Sequence, residues 1–320
     1  ENKTILSERI VALIIDDVPG IIADTLKQHG AEVETKVMPG TEYLKEHLDG
    51  VDVLVMRVVP KIDKELLDLA KDLKLIAVCS VGTAHIDTDY AREKGVTVVN
   101  APGASANAVA ELALSKMLDL SRKAVAAHHE VVEDRIWERY HFTGHELKGR
   151  SLGLCGYGRI GRRLAEIARV IGMRILAYDP YLTAEQCAQS GAVKLEMDQA
   201  DIITIHLPLT PETNNLFSYQ EIAKMKDGAI IINMSRGGVL DEAAAAEGLK
   251  SGKLGGVGVD VIKAEMADLS GGDTLYSPLF DVDGNYLVSP HIGARTYEAQ
   301  DAIGVLICGK MTEFFHWKAD

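Results

Sequence analysis

The chain has 320 residues, 47% hydrophobic and 25% charged, which is ordinary for a soluble globular protein and long enough for two domains. Its net charge of −13 argues against a nucleic-acid binder, which needs a basic face, and no apolar run approaches the roughly 18–20 residues of a membrane span. No leader peptide is read at the N-terminus, and Cys79, Cys155, Cys187 and Cys308 are scattered without C-x-x-C or Cys/His ligand spacing, so no metal is expected and a reducing cytoplasm is.

In chain order, strands are predicted over 10–16, 32–37, 51–57, 73–80 and 96–100, with helices over 21–29, 63–71 and 87–94. This β/α alternation predicts one doubly wound α/β domain over the first hundred residues. At Ala101-Pro102-Gly103 the pattern changes to a long helix that Ser105 can cap, then to a polar, His-rich crossover over 127–148. The alternation returns with strands at 151–155, 173–178, 201–207, 229–235, 256–262 and 286–289, and helices at 159–171 and 241–251. Ser218-Tyr-Gln-Glu has the form of a capping box, Gly271-Gly272 and 281–284 read as loops, and 295–316 as a closing amphipathic helix. Two α/β units place a ligand between them, at the carboxyl ends of the strands.

The stretch SLGLCGYGRIGRRLAEIARVIGMRILAYD, from Ser151 to Asp179, organises the rest. Gly156, Gly158 and Gly161 form G-x-G-x-x-G between a strand and a helix: one glycine for the tight turn, one for approach of a pyrophosphate, one for helix–strand packing. Arg159 and Ile160 open the helix, whose N-terminal amides suit phosphate. Asp179, 18 residues past Gly161, can accept from the adenosine ribose hydroxyls and would repel a 2′-phosphate, so NAD is favoured over NADP. The competing reading is a bare βαβ turn, but strand, glycines, helix, strand and acid arrive in the order a dinucleotide site requires.

Polar residues after later strands carry the chemistry. Arg236 follows AIIINMS, Asp260 and Glu265 follow GVGV, and His291 follows YLVSP. An arginine can grip a carboxylate bidentately and polarise a carbonyl, a histidine can move a hydroxyl proton as hydride leaves, and a glutamate can orient that imidazole. Each has a bland reading as well: a solvated strand-end Arg, a loop charge, a helix-start His.

Over essentially its whole length the sequence resembles the D-isomer-specific 2-hydroxyacid dehydrogenase family, through GYGRIG, HLPLTPET, INMSRGGVLDE, GVGVD with Glu265, and SPHIGART. The resemblance implies two doubly wound parallel-sheet domains: a discontinuous flavodoxin-like substrate domain, 1–100 with 291–320, and a Rossmann NAD-binding domain, 101–290. It implies Arg236 as binder of the substrate carboxylate and carbonyl, His291 as acid/base, Glu265 as its partner, and the Val81-Gly82 amides as further carboxylate donors. It gives Asp260 to the nicotinamide carboxamide and puts His206, Pro208, Thr213, Met234, Ser235 and Gly293 against the cofactor. Glu265, where the formate branch has glutamine, argues for 2-hydroxyacid chemistry, with closure of the domains excluding water.

Arg57 in VMRVVPKID, Thr83, Trp137 and HIGARTYEAQDAIG resemble the 3-phosphoglycerate dehydrogenase branch. Arg57 is then expected to meet a distal anionic group, against the alternative of an exposed strand-end charge, and Lys61 is expected in solvent. The chain departs from the pattern at His85, in the short EMDQA segment and at Met266, and no serine-sensing domain is expected beyond Asp320. The expected activity is interconversion of a D-2-hydroxyacid and its 2-oxoacid. The alternatives are glyoxylate/hydroxypyruvate or D-lactate-type reduction, and a non-catalytic NAD-sensing corepressor-like protein. A homodimer through the 101–148 crossover is expected, with no nucleic-acid or membrane partner. His128, His129, His141 and His145 of that crossover are read as solvated or subunit-contact residues rather than metal ligands.

Overall fold

The computed structural model describes residues 9–266 and 274–318. The chain divides into two compact units, Glu1–Ser105 with Arg295–Asp320, and Ala106–Ala294.

The first unit is built on five parallel strands, β1 (Val11–Ile14), β2 (Glu32–Thr35), β3 (Val53–Met56), β4 (Leu75–Val78) and β5 (Thr97–Val99), in the order β2-β1-β3-β4-β5. VLVM and LIAV are apolar at every position because β3 and β4 are covered on both faces; β2, at the edge, is mostly exposed. Helices α1 (Gly20–Gln28), α2 (Gly40–His47), α3 (Lys64–Leu69) and α4 (Thr88–Glu93) connect them. Asp63 and Asp87 cap α3 and α4 by accepting from Leu66 N and Tyr90 N. Helix α2 was not anticipated. It follows Pro39, and its buried side is marked by Leu44 and Leu48, with Tyr43 half-buried beside them.

The second unit carries seven parallel strands: β6 (Ser151–Cys155), β7 (Arg174–Tyr178), β8 (Val193–Lys194), β9 (Ile202–Ile205), β10 (Ala229–Asn233), β11 (Leu254–Val259) and β12 (Tyr286–Val288). Their order is β12-β11-β10-β9-β6-β7-β8, so the winding reverses between β6 and β9, the switch point where such sheets take ligands. Helices α5 (Ala106–Arg122), α6 (Ala124–Val132), α7 (Arg159–Ile171), α8 (Ala184–Gln189), α9 (Tyr219–Lys224) and α10 (Glu242–Lys250) complete it. Two apolar clusters, one around Ile203, Ile231 and Val257 and one around Leu152, Leu164 and Ile232, form its core.

The capping box expected at Ser218 does not form. The Ser218 hydroxyl donates instead to Asp241 Oδ2 at 2.8 Å, tying the start of α9 to the cap of α10. A capping box does form at Thr183 and Gln186, ahead of the unanticipated α8. EMDQA holds a 3₁₀ turn, Met197–Gln199, and Gly271-Gly272 lies outside the described residues.

The closing helix of the first unit, α11 (Tyr297–Phe315), is capped by Thr296 and packs on α1. Gly304 makes this close: a Cβ there would come within 2.6 Å of Ile21 and 2.9 Å of Pro19. The units divide at 105/106 and 294/295, a few residues later than the 100/101 and 290/291 read from the sequence. His291 to Gly293 stay with the second unit because Asp260 binds their backbone.

Candidate active site

The glycine loop between β6 and α7 separates its three roles in space. Gly156 has φ +96°, and a Cβ there would meet the His206 carbonyl oxygen at 2.6 Å. A Cβ on Gly161 would meet the Gly156 carbonyl oxygen at 2.3 Å, so this glycine lets α7 lie against the strand end. A Cβ on Gly158 meets nothing within 4 Å: its side of the loop is open to whatever approaches. Arg159 is exposed and Ile160 half-buried at the start of α7.

At the end of β7, Asp179 Oδ2 accepts from Tyr157 N at 2.8 Å and Oδ1 from Tyr181 N at 2.9 Å. Each oxygen keeps a lone pair for a ribose hydroxyl. The Tyr157 ring is buried under the Arg162 guanidinium, 4.9 Å from its centroid, and its hydroxyl accepts from Arg169 at 3.2 Å. This brace stiffens the loop and was not legible in GYGRIG.

His206 ends β9. Its Nε2 lies 3.1 Å from Thr204 Oγ1, while Nδ1 is buried with no hydrogen-bond partner among the described residues. Burial pushes its pKa down to about 4, so the ring is neutral. Beyond it, Thr213 Oγ1 donates to the Pro208 carbonyl at 2.6 Å and accepts from Thr210 N at 2.7 Å, closing the loop on itself.

Asn233, buried at the end of β10, folds the next three residues around its amide. It accepts from Ser235 N and Oγ at 3.0 and 2.8 Å and donates to the Arg236 carbonyl at 2.9 Å. Met234 is buried, and Arg236 Nη1 donates to the Ser235 carbonyl at 2.8 Å, which fixes the guanidinium. Burial lowers the Arg236 pKa, with the Glu265 charge opposing the shift.

Glu265 stands on a 3₁₀ turn, Lys263–Met266, after β11, and its Oε2 lies 3.1 Å from His291 Nδ1. His291 itself has φ +53°, a left-handed conformation costly for a branched-free but non-glycine residue, of order 1–3 kcal/mol. Asp260 enforces it. The Asp260 carbonyl accepts from His291 N at 2.8 Å, and its buried carboxylate accepts from Ser289 Oγ at 2.6 Å, Ile292 N at 3.0 Å and Gly293 N at 2.8 Å. Oδ1 is thereby filled by two donors and Oδ2 retains one lone pair, so holding the His291 loop occupies most of this carboxylate.

A second group stands on the first unit. Arg57, after β3, donates to Gln300 Oε1 at 2.9 Å; burial first, then Arg295, lowers its pKa. Val81 and Gly82 follow β4. The Val81 carbonyl accepts from Asn100 Nδ2 at 2.6 Å and the Gly82 carbonyl from Ser80 Oγ at 3.2 Å. With both carbonyls tied back, neither amide finds a protein acceptor among the described residues. Lys61 is exposed. In the crossover, His129 pairs with Glu133 at 2.7 Å and His141 with Glu130 at 2.8 Å. Among the described residues no group of three or more His, Cys, Asp or Glu is arranged to hold a metal ion.

Residues 114–293 match the family model described as D-isomer specific 2-hydroxyacid dehydrogenase, NAD binding domain. The chain belongs to the D-isomer specific 2-hydroxyacid dehydrogenase family. It is 36% identical over 299 residues to a D-3-phosphoglycerate dehydrogenase of Archaeoglobus fulgidus, covering 92% of this chain and 55% of that protein. It is 40% identical over 265 residues to a hydroxypyruvate reductase of Thermotoga maritima, covering 82% and 84%. A crystal structure of Aquifex aeolicus D-lactate dehydrogenase complexed with NAD and lactic acid superposes with a TM-score of 0.84 at 27% identity, covering 96% of this chain and 95% of that one. The chain therefore spans about half the length of the phosphoglycerate dehydrogenases it matches.

The second unit of this family member is an NAD-binding domain. Its residues fit that group: an open face at Gly158, a carboxylate pre-bonded to the loop at Asp179, and an unmatched buried nitrogen on His206. The braces on the loops escaped the sequence reading. Asn233 gave one signal, a lone amide closing the apolar run AIIIN; the others gave none.

Proposed function

We propose that the chain is an NAD-dependent oxidoreductase that interconverts a D-2-hydroxyacid and its 2-oxoacid. The observation that carries this reading is the 3.1 Å contact between Glu265 and His291, with the fixed Arg236 charge beside Glu265 on an NAD-binding sheet. When bound, NAD accepts or returns hydride at the substrate C2. The chain supplies the rest. Arg236 grips the carboxylate and polarises the carbonyl oxygen as it develops. Glu265 holds Nδ1 of His291, which leaves Nε2 to take the hydroxyl proton in oxidation and return it in reduction. Gly156, Gly158, Arg159, Ile160 and Gly161 hold the pyrophosphate, and Asp179 the ribose. Pro208, Thr213, Met234, Ser235 and Gly293 line the nicotinamide side with His206, and the last lone pair of Asp260 takes the carboxamide.

Of the first unit, we assign the Val81 and Gly82 amides to substrate binding and Arg57 to an anionic group, which favours a 3-phosphoglycerate-like acid. The likeness to the Thermotoga maritima hydroxypyruvate reductase, over most of that protein's length, supports the second reading, a reductase of hydroxypyruvate or glyoxylate. We assign the second copy of this chain as its protein partner, through the crossover, and the cytoplasm as its compartment, since all four cysteines are buried thiols.

The test is NADH formation at alkaline pH with 3-phosphoglycerate, D-lactate, D-glycerate and glycolate in parallel, and NADH oxidation with the matching oxoacids. Turnover with 3-phosphoglycerate that collapses in Arg57→Ala is expected; turnover with uncharged-tail acids alone keeps the mechanism and transfers the assignment to the reductase. Wild-type kcat in His291→Ala, or silence across the panel with NAD-dependent oligomerisation, would overturn the enzymatic reading.

A further inference from the structure

Glu242 is the first residue of α10 and is 7% exposed. An acid at a helix start ordinarily interacts with the helix dipole from solvent, and such a residue has no reason to be buried. Nor does α10 need it as a cap: Asp241 Oδ1 already accepts from Ala243 N at 3.1 Å and Ala244 N at 3.3 Å. A carboxylate withdrawn from water must be bonded, and the two oxygens of Glu242 go to two other segments. Oε1 accepts from Lys263 N at 2.6 Å, and Oε2 accepts from the hydroxyl of the buried Ser277. Both donors are uncharged, and the Lys263 side chain is exposed.

Lys263 is where the turn bearing Glu265 begins. That turn is fixed at two further points. Gly237 lies so close to the Ile262 carbonyl that a Cβ would come within 2.1 Å of it, and the same carbonyl accepts from Glu265 N at 3.2 Å. Glu265 reaches His291 at 3.1 Å from this turn, with Arg236 the charge facing it from the β10 loop. The Lys263 amide is thus the point at which the turn is set in register, and Glu242 holds it.

We propose that Glu242 is a positioning residue for Glu265: its buried carboxylate anchors the turn through the Lys263 amide and so sets the reach of Glu265 to His291. The inference rests on the catalytic reading above. Glu242, bonded to Lys263 N and Ser277 Oγ, lies outside the residues assigned above to substrate and cofactor. It acts on the rate through the placement of Glu265, and a displacement of the order of 1 Å at such a contact costs about 10²-fold.

The experiment is a double-mutant cycle read by NADH oxidation with hydroxypyruvate in the full chain. Glu242→Ala is expected to lower kcat by about 10–10²-fold with the KM for NADH changed less than about 3-fold. Glu242→Gln, whose amide oxygen can still accept from Lys263 N, is expected to restore most of the rate. In a Glu265→Gln background the same Glu242→Ala change is expected to add little, because the group it positions is already gone. Where Glu242→Ala does not fold, Glu242→Asp keeps the charge but withdraws the carboxylate by one methylene from the Lys263 amide, with a loss of kcat in the same direction expected. An equal fall of kcat in both backgrounds, or wild-type kcat in Glu242→Ala, overturns the proposal. His291→Ala runs beside it: silence there with an active Glu242→Ala sinks only the positioning role, whereas an active His291→Ala sinks the catalytic reading itself.

Discussion

A histidine that cannot hold a proton is a liability to the fold as pH drops, and His206 is one. Its folded pKa, pushed down to about 4 by burial, lies below the ordinary 6.5. Between those values the unfolded chain binds the proton that the folded chain refuses, so stability is full above pH 6.5 and is lost as pH falls toward 4. At about 1.4 kcal/mol per unit the loss is up to about 3 kcal/mol. Urea unfolding at pH 7 and pH 5 should show this slope in the wild type and a flatter one in His206→Gln; equal slopes would mean the ring is not withdrawn from water. Arg236 poses a different residue-scale question, since a charge could be supplied by lysine but a fork could not. Arg236→Lys should lower kcat/KM by about 10²-fold or more, with NADH affinity by fluorescence unchanged. Retention of wild-type kcat/KM would show that a point charge suffices.

At the scale of elements, the glycine loop separates stability from binding. Gly158→Ala adds a methyl group to open space, so its melting temperature should stay within about 2 °C of wild type while NAD affinity falls at least about 10-fold. Gly161→Ala drives a methyl group into the Gly156 backbone and should lose both. Calorimetry with NAD titration separates the two, and undiminished NAD binding by Gly158→Ala would remove the pyrophosphate from this loop. The loop was legible because its signal is local: apolar strand, three glycines and helical period all fall within thirty residues. The same holds for β3, β4, β6, β9 and β10, whose apolar runs are bounded by turns. Helix α2 was not legible because Pro39-Gly40 reads as a turn and only Leu44 and Leu48, with the half-buried Tyr43, face the core. The capping box at Ser218 failed for the opposite reason: its hydroxyl is turned to donate to Asp241, 23 residues on, and does not accept from the local amide. In the site, Arg236, Glu265 and His291 were marked by strand-end positions and by family likeness. The groups that hold them, Asn233, Asp260 and Glu242, act through bonds that obey no spacing rule, so a sequence shows them only as polar residues in apolar surroundings.

At the scale of the whole molecule, the crossover after α5 carries the exposed apolar residues on which the proposed homodimer rests. Helix α6 has no buried residue, yet it carries Val125 and Val132 and is followed by Ile136, Trp137 and Tyr140, the last two each 80% exposed. Nine residues are too few for a helix to persist on propensity alone, and α6 keeps only Ala127, Glu130 and Val131 half-buried, so we propose that its exposed apolar side chains meet a second copy of the chain. Its aromatic residues are of the kind enriched at subunit contacts, and in the proposed contact the pairs His129–Glu133 and His141–Glu130 would supply a polar rim. Screened, exposed pairs of this sort contribute little by themselves, which leaves the apolar side chains to carry association. Trp137→Glu with Val132→Glu should therefore convert a dimer to a monomer in sedimentation velocity at micromolar concentration. The seven-stranded sheet, whose core excludes these residues, should remain folded by circular dichroism and should still bind NAD. A wild-type chain that sediments as a monomer at every concentration, or a doubly substituted chain that stays dimeric, would move the subunit contact away from the crossover.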